Sequence, residues 1–382
     1  MNTSFQAPSD AVIVVGAGLA GLLSAYLLEQ QGQAVLLIES RDRTGGRVLS
    51  DAANAAESFI DLGPSWVWPS MNERLSEWKN KLGLQLFPQY RHGATVVESQ
   101  DHQVNHYAAT HAQEPESQRW VGGAIALVNA LLDRLQRTQL LLNTQVTLIQ
   151  HAPEGGVILT AQGPQGEQQL CGASVIVTLP PRLLAECIRW EPALPANLTA
   201  QWQRSPTWMA GQAKFVAAYK TPFWREAGLS GYAWSKAGPL VEIHDASDES
   251  GRSAALFGFV GVAARWRVKM GEAELIQRSL KQLTNLFGPK AAQPEWIKLK
   301  DWAQDSHTAT AADALPVSSH PTPQPRNLPA PWNGLAYLAG SEFADDFNGY
   351  LEGAARSAEL ALSEWVTQQG AKRSTQGTAM VS

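Results

Sequence analysis

The chain becomes readable with an unbroken hydrophobic run at residues 11–15, the pattern of a strand buried on both faces of a parallel sheet. Glycines follow at positions 16, 18 and 21. An apolar helical pattern then continues to about residue 31, where Gly32 predicts the stop. A second apolar run, residues 34–38, predicts the next strand, which ends at Glu39. Strand, glycine turn, helix and strand together make one βαβ unit of about thirty residues.

Beyond it the signals mix. Residues 61–64 predict a turn and residues 72–82 a helix, whereas residues 91–120 are polar, rich in histidine and weakly periodic. Apolar positions at Ile125, Leu127, Val128, Leu131, Leu132 and Leu135 repeat at helical spacing. Strands are expected around 140–149, 157–160 and 174–179, closed by Pro180 and Pro181. Strand-like runs at 213–219 and 254–260 and a helix over 272–287 follow. A proline-rich loop at 316–331 leads to a last strand, 335–339, and a last helix, about 349–366. The polar end, 368–382, predicts a disordered tail.

Composition narrows the class. A chain of 382 residues suggests two or three domains, and 44% hydrophobic with 17% charged residues excludes a disordered or coiled-coil protein. A net charge of −5 gives no support to nucleic-acid binding. Cys171 and Cys187 form no metal-binding pair, and His92, His102, His106 and His111 lack ligand spacing, so no metal is expected and these histidines are assigned to the surface. No stretch has the length of an export signal or a membrane span, so the expectation is a cytoplasmic protein away from membranes. Fourteen tryptophans are expected to be mostly core, the remainder lining a pocket.

The chemistry begins at Gly16, Gly18 and Gly21. The first glycine makes a tight turn, the second lets backbone approach a pyrophosphate, and the third lets helix and strand pack closely. Glu39, at the end of the second strand, suits both ribose hydroxyls and disfavours a 2′-phosphate. Directly after it, Arg41, Gly45, Gly46 and Arg47 supply backbone amides and guanidinium groups that a nicotinamide site does not require.

At this point the sequence resembles the FAD-dependent amine oxidase family, the monoamine and polyamine oxidases, as a short member. Segments at 175–181, 219–225, 338–342 and 349–354 occur in the family's order. The resemblance implies an α/β fold, with a Rossmann-type FAD-binding domain interleaved with a mixed-sheet substrate domain. The FAD-binding domain is expected over 1–85, 120–203 and 305–367, the substrate domain over 86–119 and 204–304. It implies that Gly16, Gly18, Gly21, Glu39, Arg41, Gly45, Gly46 and Arg47 hold the adenosine and pyrophosphate of FAD, with Val146 at the adenine. Gly340, Ser341 and Glu342 would hold the ribityl-phosphate end, and Tyr350 and Leu351 would complete the cofactor site. Lys214 matches the lysine that holds a water near flavin N5. Tyr350 matches one of two aromatics that sandwich the substrate amine, and Trp66 is assigned to the substrate.

The second aromatic is where the sequence departs from the family: its place falls within 310–312 and no aromatic stands there. The neighbouring cysteine that binds FAD covalently in some members is absent, so FAD is expected to be non-covalent. Asp345 and Asp346 are expected to be solvated or cap-forming. The implied reaction is oxidation of an amine by hydride transfer to FAD, with molecular oxygen as acceptor, the imine then hydrolysed and peroxide formed. Two alternatives stay open: a flavin desaturase acting on carbon–carbon bonds, and a flavoprotein partner without turnover. Oligomeric state is not fixed by the sequence.

Overall fold

The structure, a computed structural model, describes residues 10–52, 59–108, 115–315 and 320–379. The chain divides into two compact units, one of residues 1–46, 128–208 and 319–382, the other of residues 47–127 and 209–318.

The first unit is built on a parallel five-stranded sheet in the order Gln139–Leu141, Val35–Ile38, Val12–Val15, Ser174–Val177, Ala336–Leu338. The continuous apolar runs are explained by this placement: the Val12–Val15, Val35–Ile38 and Ser174–Val177 strands are buried at every position. The helix Leu19–Gln30 returns the chain between the first two strands, and Gly32, at φ +79°, follows its end. A four-stranded sheet pairs Gly166–Gly172, Val157–Gly163, Gln145–His151 and Arg189–Glu191 in that order. Its inward side chains share one core with the parallel sheet, through residues such as Ile13, Val177, Ile149, Leu159 and Trp202.

The second unit is organised by a seven-stranded sheet. Its order is Trp296–Asp301, Ala213–Tyr219, Ala254–Val260, Leu240–Asp245, Leu229–Ser235, Ala94–Glu98, Val104–Tyr107. All neighbours are antiparallel except Leu229–Ser235 with Ala94–Glu98. The helix Glu272–Phe287 buries Leu275, Ser279, Gln282, Leu283 and Leu286, a stripe at helical spacing, and its leucines join the core of this sheet.

Several expectations change. Residues 47–85, 120–127 and 305–315, expected in the FAD-binding domain, lie in the second unit, and residues 204–208, expected in the substrate domain, lie in the first; Trp66–Val67 and Leu86–Pro88 both pair with Gln118–Trp120. The expected disordered tail is helical: the last helix is Leu351–Ala379, well past residue 366, and residues 380–382 lie outside the described residues. Among its described residues the polar stretch 91–120 contains the strands Ala94–Glu98, Val104–Tyr107 and Gln118–Trp120. Among the tryptophans, Trp78, Trp120, Trp190, Trp202, Trp224, Trp302, Trp332 and Trp365 are buried, whereas Trp234 and Trp266 are exposed. Both cysteines are free. His92, His102 and His106 are exposed, and His111 lies outside the described residues. Among the described residues no helix is long and apolar enough to cross a membrane.

Candidate active site

In the first unit the candidate site forms at the carboxyl ends of the parallel strands. The Val12–Val15 strand runs into Gly16, whose φ of +99° makes the turn. A Cβ added at Gly21 would lie 1.8 Å from the Gly16 carbonyl oxygen, so helix and turn meet at van der Waals contact only because no side chain intervenes. Gly18 differs from both: an added Cβ would find nothing nearer than the Gly45 carbonyl oxygen at 3.9 Å. Its face is open. No side chain caps the helix Leu19–Gln30, and its first turn holds no acid, so its amides remain available to an anion.

The second glycine pair closes on the first. Gly45 N–H donates to the Ala17 carbonyl at 2.8 Å, and Gly18 and Gly45 form a parallel bridge. Glu39, buried, anchors the arrangement: its carboxylate accepts from the Ala17 N–H at 2.8 Å and the Arg41 N–H at 2.9 Å. The Arg41 guanidinium lies 3.5 Å from the same carboxylate. Thr144 N–H donates to the Glu39 carbonyl, which ties in the strand carrying Val146. The Val146 side chain itself is core, beside a register shift between Val146 and Leu148.

Thr178, which the sequence reading passed over, joins two halves of the site. Its hydroxyl lies 2.9 Å from the Val15 carbonyl and 3.1 Å from that of Gly16. Its own carbonyl lies 3.2 Å from where a Cβ on Gly340 would stand. Gly340, at φ +126°, donates its N–H to the Ser357 hydroxyl oxygen at 2.9 Å. Ser341 donates to the buried Glu342 carboxylate at 2.9 Å. Together these residues form the crevice outside the carboxyl edge of a parallel sheet where dinucleotides bind. The open Gly18 face, the uncapped helix and the carboxylate on Glu39 fit the pyrophosphate and ribose of FAD.

Tyr350 stands just before the last helix, 39% exposed, with burial raising its phenol pKa. The ring of His320 lies parallel to it, 5.4 Å between centroids and 5° between planes. Trp208 contacts both, at 4.3 Å from His320 and 6.2 Å from Tyr350. No family position and no local pattern marked His320, which stands directly before Pro321 in a proline-rich stretch without periodicity. Asp345 and Asp346 are exposed, as expected, and Asp346 lies 3.8 Å from Arg356.

In the second unit Lys214 is buried on the strand Ala213–Tyr219. Its ammonium donates to the Ser65 hydroxyl at 2.8 Å and the Gly63 carbonyl at 3.1 Å, and lies 4.0 Å from the centre of the Phe257 ring. Burial pushes its pKa down to about 7; Asp61 opposes that shift and Arg119 adds to it. Phe257 stacks on His244, which Trp66 meets edge-on at 4.7 Å. The Nε2 of His244 is 2.8 Å from Glu242, yet burial still holds its pKa below the usual imidazole range. Trp66 is fixed by donating to Gln89 at 2.8 Å. Thus Lys214 and Trp66 belong to one aromatic cluster, to which the structure adds His244 and Glu242. Arg47 opens this second unit.

The family model for flavin-containing amine oxidoreductase matches residues 106–361, and one for an NAD(P)-binding Rossmann-like domain matches residues 14–82. The chain belongs to the flavin-containing amine oxidoreductase family, and it is an FAD-dependent oxidoreductase. It is similar to a probable flavin-containing monoamine oxidase A of Dictyostelium discoideum, 23% identical over 91% of this chain and 95% of that protein. An L-amino acid dehydrogenase of Synechocystis sp. is 24% identical, over 94% of this chain and 95% of that one. Among solved structures, cyclohexylamine oxidase from Brevibacterium oxydans shares the fold, with a TM-score of 0.76 at 22% identity, covering 95% of this chain and 100% of that one.

Proposed function

We propose that the chain oxidises an amine presented to the Tyr350 ring, with FAD held by the residues at the carboxyl edge of the parallel sheet and molecular oxygen as acceptor. The observation that carries this reading is the joining of the two glycine motifs with Glu39, Thr178 and Gly340 in one crevice of the unit that also holds Tyr350. FAD, when bound, supplies hydride acceptance and return of electrons to oxygen. The protein's part is placement. Glu39 orients the ribose, the amides near Gly18 and Gly45 meet the pyrophosphate, and Gly340 to Glu342 receive the ribityl-phosphate end. Tyr350 would give the amine a ring face, Leu351 would complete the cofactor site, Arg47 would add positive charge, the Val146 backbone would meet the adenine, and Trp66 would contribute to substrate contact. Lys214 holds a water for the oxidative half-reaction.

FAD is non-covalent in this reading, since residues 303–315 contain no cysteine and both cysteines are free. A cytoplasmic location is part of the same proposal, which cell fractionation tests. The decisive experiment mixes the yellow protein anaerobically with primary amines, diamines and amino acids. Bleaching by at least one class, followed by peroxide formation on admitting air, is expected. Bleaching that only a dye or quinone reverses would make the chain a dehydrogenase. Flavin that stays in an acid-precipitated pellet would show a covalent link.

A further inference from the structure

His320 has no part in the function proposed above, and its surroundings assign it one. Its Nδ1 lies 3.0 Å from the Pro321 carbonyl oxygen. A carbonyl can only accept, so Nδ1 carries the hydrogen, and in the neutral imidazole Nε2 is left as a bare acceptor. That Nε2 is buried and has no hydrogen-bond partner among the described residues. Such an acceptor destabilises the fold unless a donor arrives from outside the protein. The ring cannot easily turn to find one. Trp208 packs on it, Tyr350 lies parallel to it, and Asn348 donates to the same Pro321 carbonyl that fixes Nδ1. An Ala side chain at Gly349 would meet the Trp208 Cβ at 2.5 Å, so Trp208 is seated directly against the chain that carries Tyr350.

The spacing excludes one role. Two ring faces that hold a group between them stand about 7 Å apart, twice a van der Waals contact. With centroids 5.4 Å apart and planes at 5°, His320 and Tyr350 leave no such gap. His320 therefore offers its nitrogen rather than a second ring wall.

We propose that His320 Nε2 is the proton acceptor for the substrate's amino group, converting the ammonium form to the neutral amine that is competent for oxidation. This rests on the reading that Tyr350 faces the amine. In the step, one N–H bond of the ammonium breaks and an Nε2–H bond forms. The substrate nitrogen keeps the electron pair, the imidazole gains the positive charge, and nothing is oxidised or reduced. The two electrons leave later, from the adjacent C–H bond to FAD, and the imidazolium returns its proton to solvent. The groups packed on His320 do not compete for this proton: Trp208 is uncharged, and burial keeps the Tyr350 phenol neutral. Asp345 and Asp346, on the loop before Tyr350, are exposed, and Asp346 lies near Arg356.

The test compares the FAD-loaded full chain with His320→Phe, which keeps a stacking ring and removes the acceptor, and His320→Ala. The first measurement is binding, by calorimetry, of 2-phenylpropan-2-amine, which lacks a hydrogen on its α-carbon and so cannot be oxidised, and of its trimethylammonium analogue, which lacks N–H. His320→Phe is expected to weaken the amine at least tenfold and to leave the quaternary ion within twofold. The second is anaerobic flavin reduction by an oxidisable amine. His320→Phe should slow it at least tenfold at pH 7, with the deficit closing as the pH approaches the substrate's own pKa, and added imidazole should rescue His320→Ala. Equal binding of both probes by wild type and His320→Phe would overturn the inference and leave the amine-oxidase reading intact. A deficit that is the same at every pH and unrescued by imidazole would reduce His320 to packing. A wild-type chain that binds neither probe yet is bleached by no amine would overturn the inference together with the reading beneath it.

Discussion

Lys214 places an ammonium group under the Phe257 ring and away from water. In the unfolded chain a lysine titrates near 10.4; in the fold burial holds it at about 7. Between these two values the unfolded chain binds more protons, so this group makes stability rise with pH across the window. Below about 7 its full penalty is present, and near pH 10 the penalty is gone. Lys214→Met is therefore expected to melt a few degrees higher than wild type at pH 6–7, with the difference shrinking toward pH 10. Loss of donors to Ser65 and Gly63 offsets part of the gain. Scanning fluorimetry of the FAD-loaded proteins at several pH values checks this. A difference that grows with pH would show that Lys214 is not the titrating group. The same variant should slow flavin reoxidation by oxygen more than flavin reduction by amine, which stopped-flow measurement of both half-reactions separates.

The approach to the last helix is set by backbone that most residues resist. Phe347 at φ +54° and Gly349 at φ +83° bend the chain before Tyr350, and a Cβ added at Gly353 would lie 2.2 Å from the Phe347 carbonyl. Gly349→Ala combines a left-handed φ with a clash against Trp208. It should displace Tyr350 and cut the rate of anaerobic flavin reduction at least tenfold while FAD content after gel filtration stays near wild type. Unchanged reduction would mean that Tyr350 does not face the amine. Elements with a strong internal pattern were legible in the sequence: the runs at 213–219, 254–260 and 272–287 coincide with Ala213–Tyr219, Ala254–Val260 and Glu272–Phe287. Val104–Tyr107 was not, because it is an edge strand with mostly exposed positions and so carries no buried alternation. The extension of the last helix to Ala379 was missed because its final residues are polar, include Gly370 and Gly377, and give the sequence no apolar periodicity there. The glycine turn and Glu39 were readable because their chemistry is local. The contacts of His320 with Tyr350 and of Thr178 with Gly16 and Gly340 were not, since each joins positions far apart in the chain.

At the scale of the whole molecule, the chain passes between the two units at positions 46–47, 127–128, 208–209 and 318–319, so neither is a contiguous piece. Composition gives no sign of these passages, which is why the sequence reading kept residues 47–85 together with residues 1–46; the pairing of Trp66–Val67 and Leu86–Pro88 with Gln118–Trp120 places them in the other compact unit. The first unit also needs its last segment, since Ala336–Leu338 forms an edge of the parallel sheet beside Ser174–Val177. A chain ending at Gly334 should therefore retain no FAD after gel filtration, and 1:1 retention would show that Gly340 to Glu342 are dispensable. The same sheet has a bearing on synthesis. The Gly16 turn leaves the ribosome long before the Gly340 turn, and although Val35–Ile38 follows Val12–Val15 closely, the other parallel partner of Val12–Val15, Ser174–Val177, comes from a distant stretch. A growing chain consequently exposes apolar strands long before it owns a cofactor pocket. Assembly of the FAD site therefore waits until the stretch carrying Ala336–Leu338 and Gly340 to Glu342 has emerged.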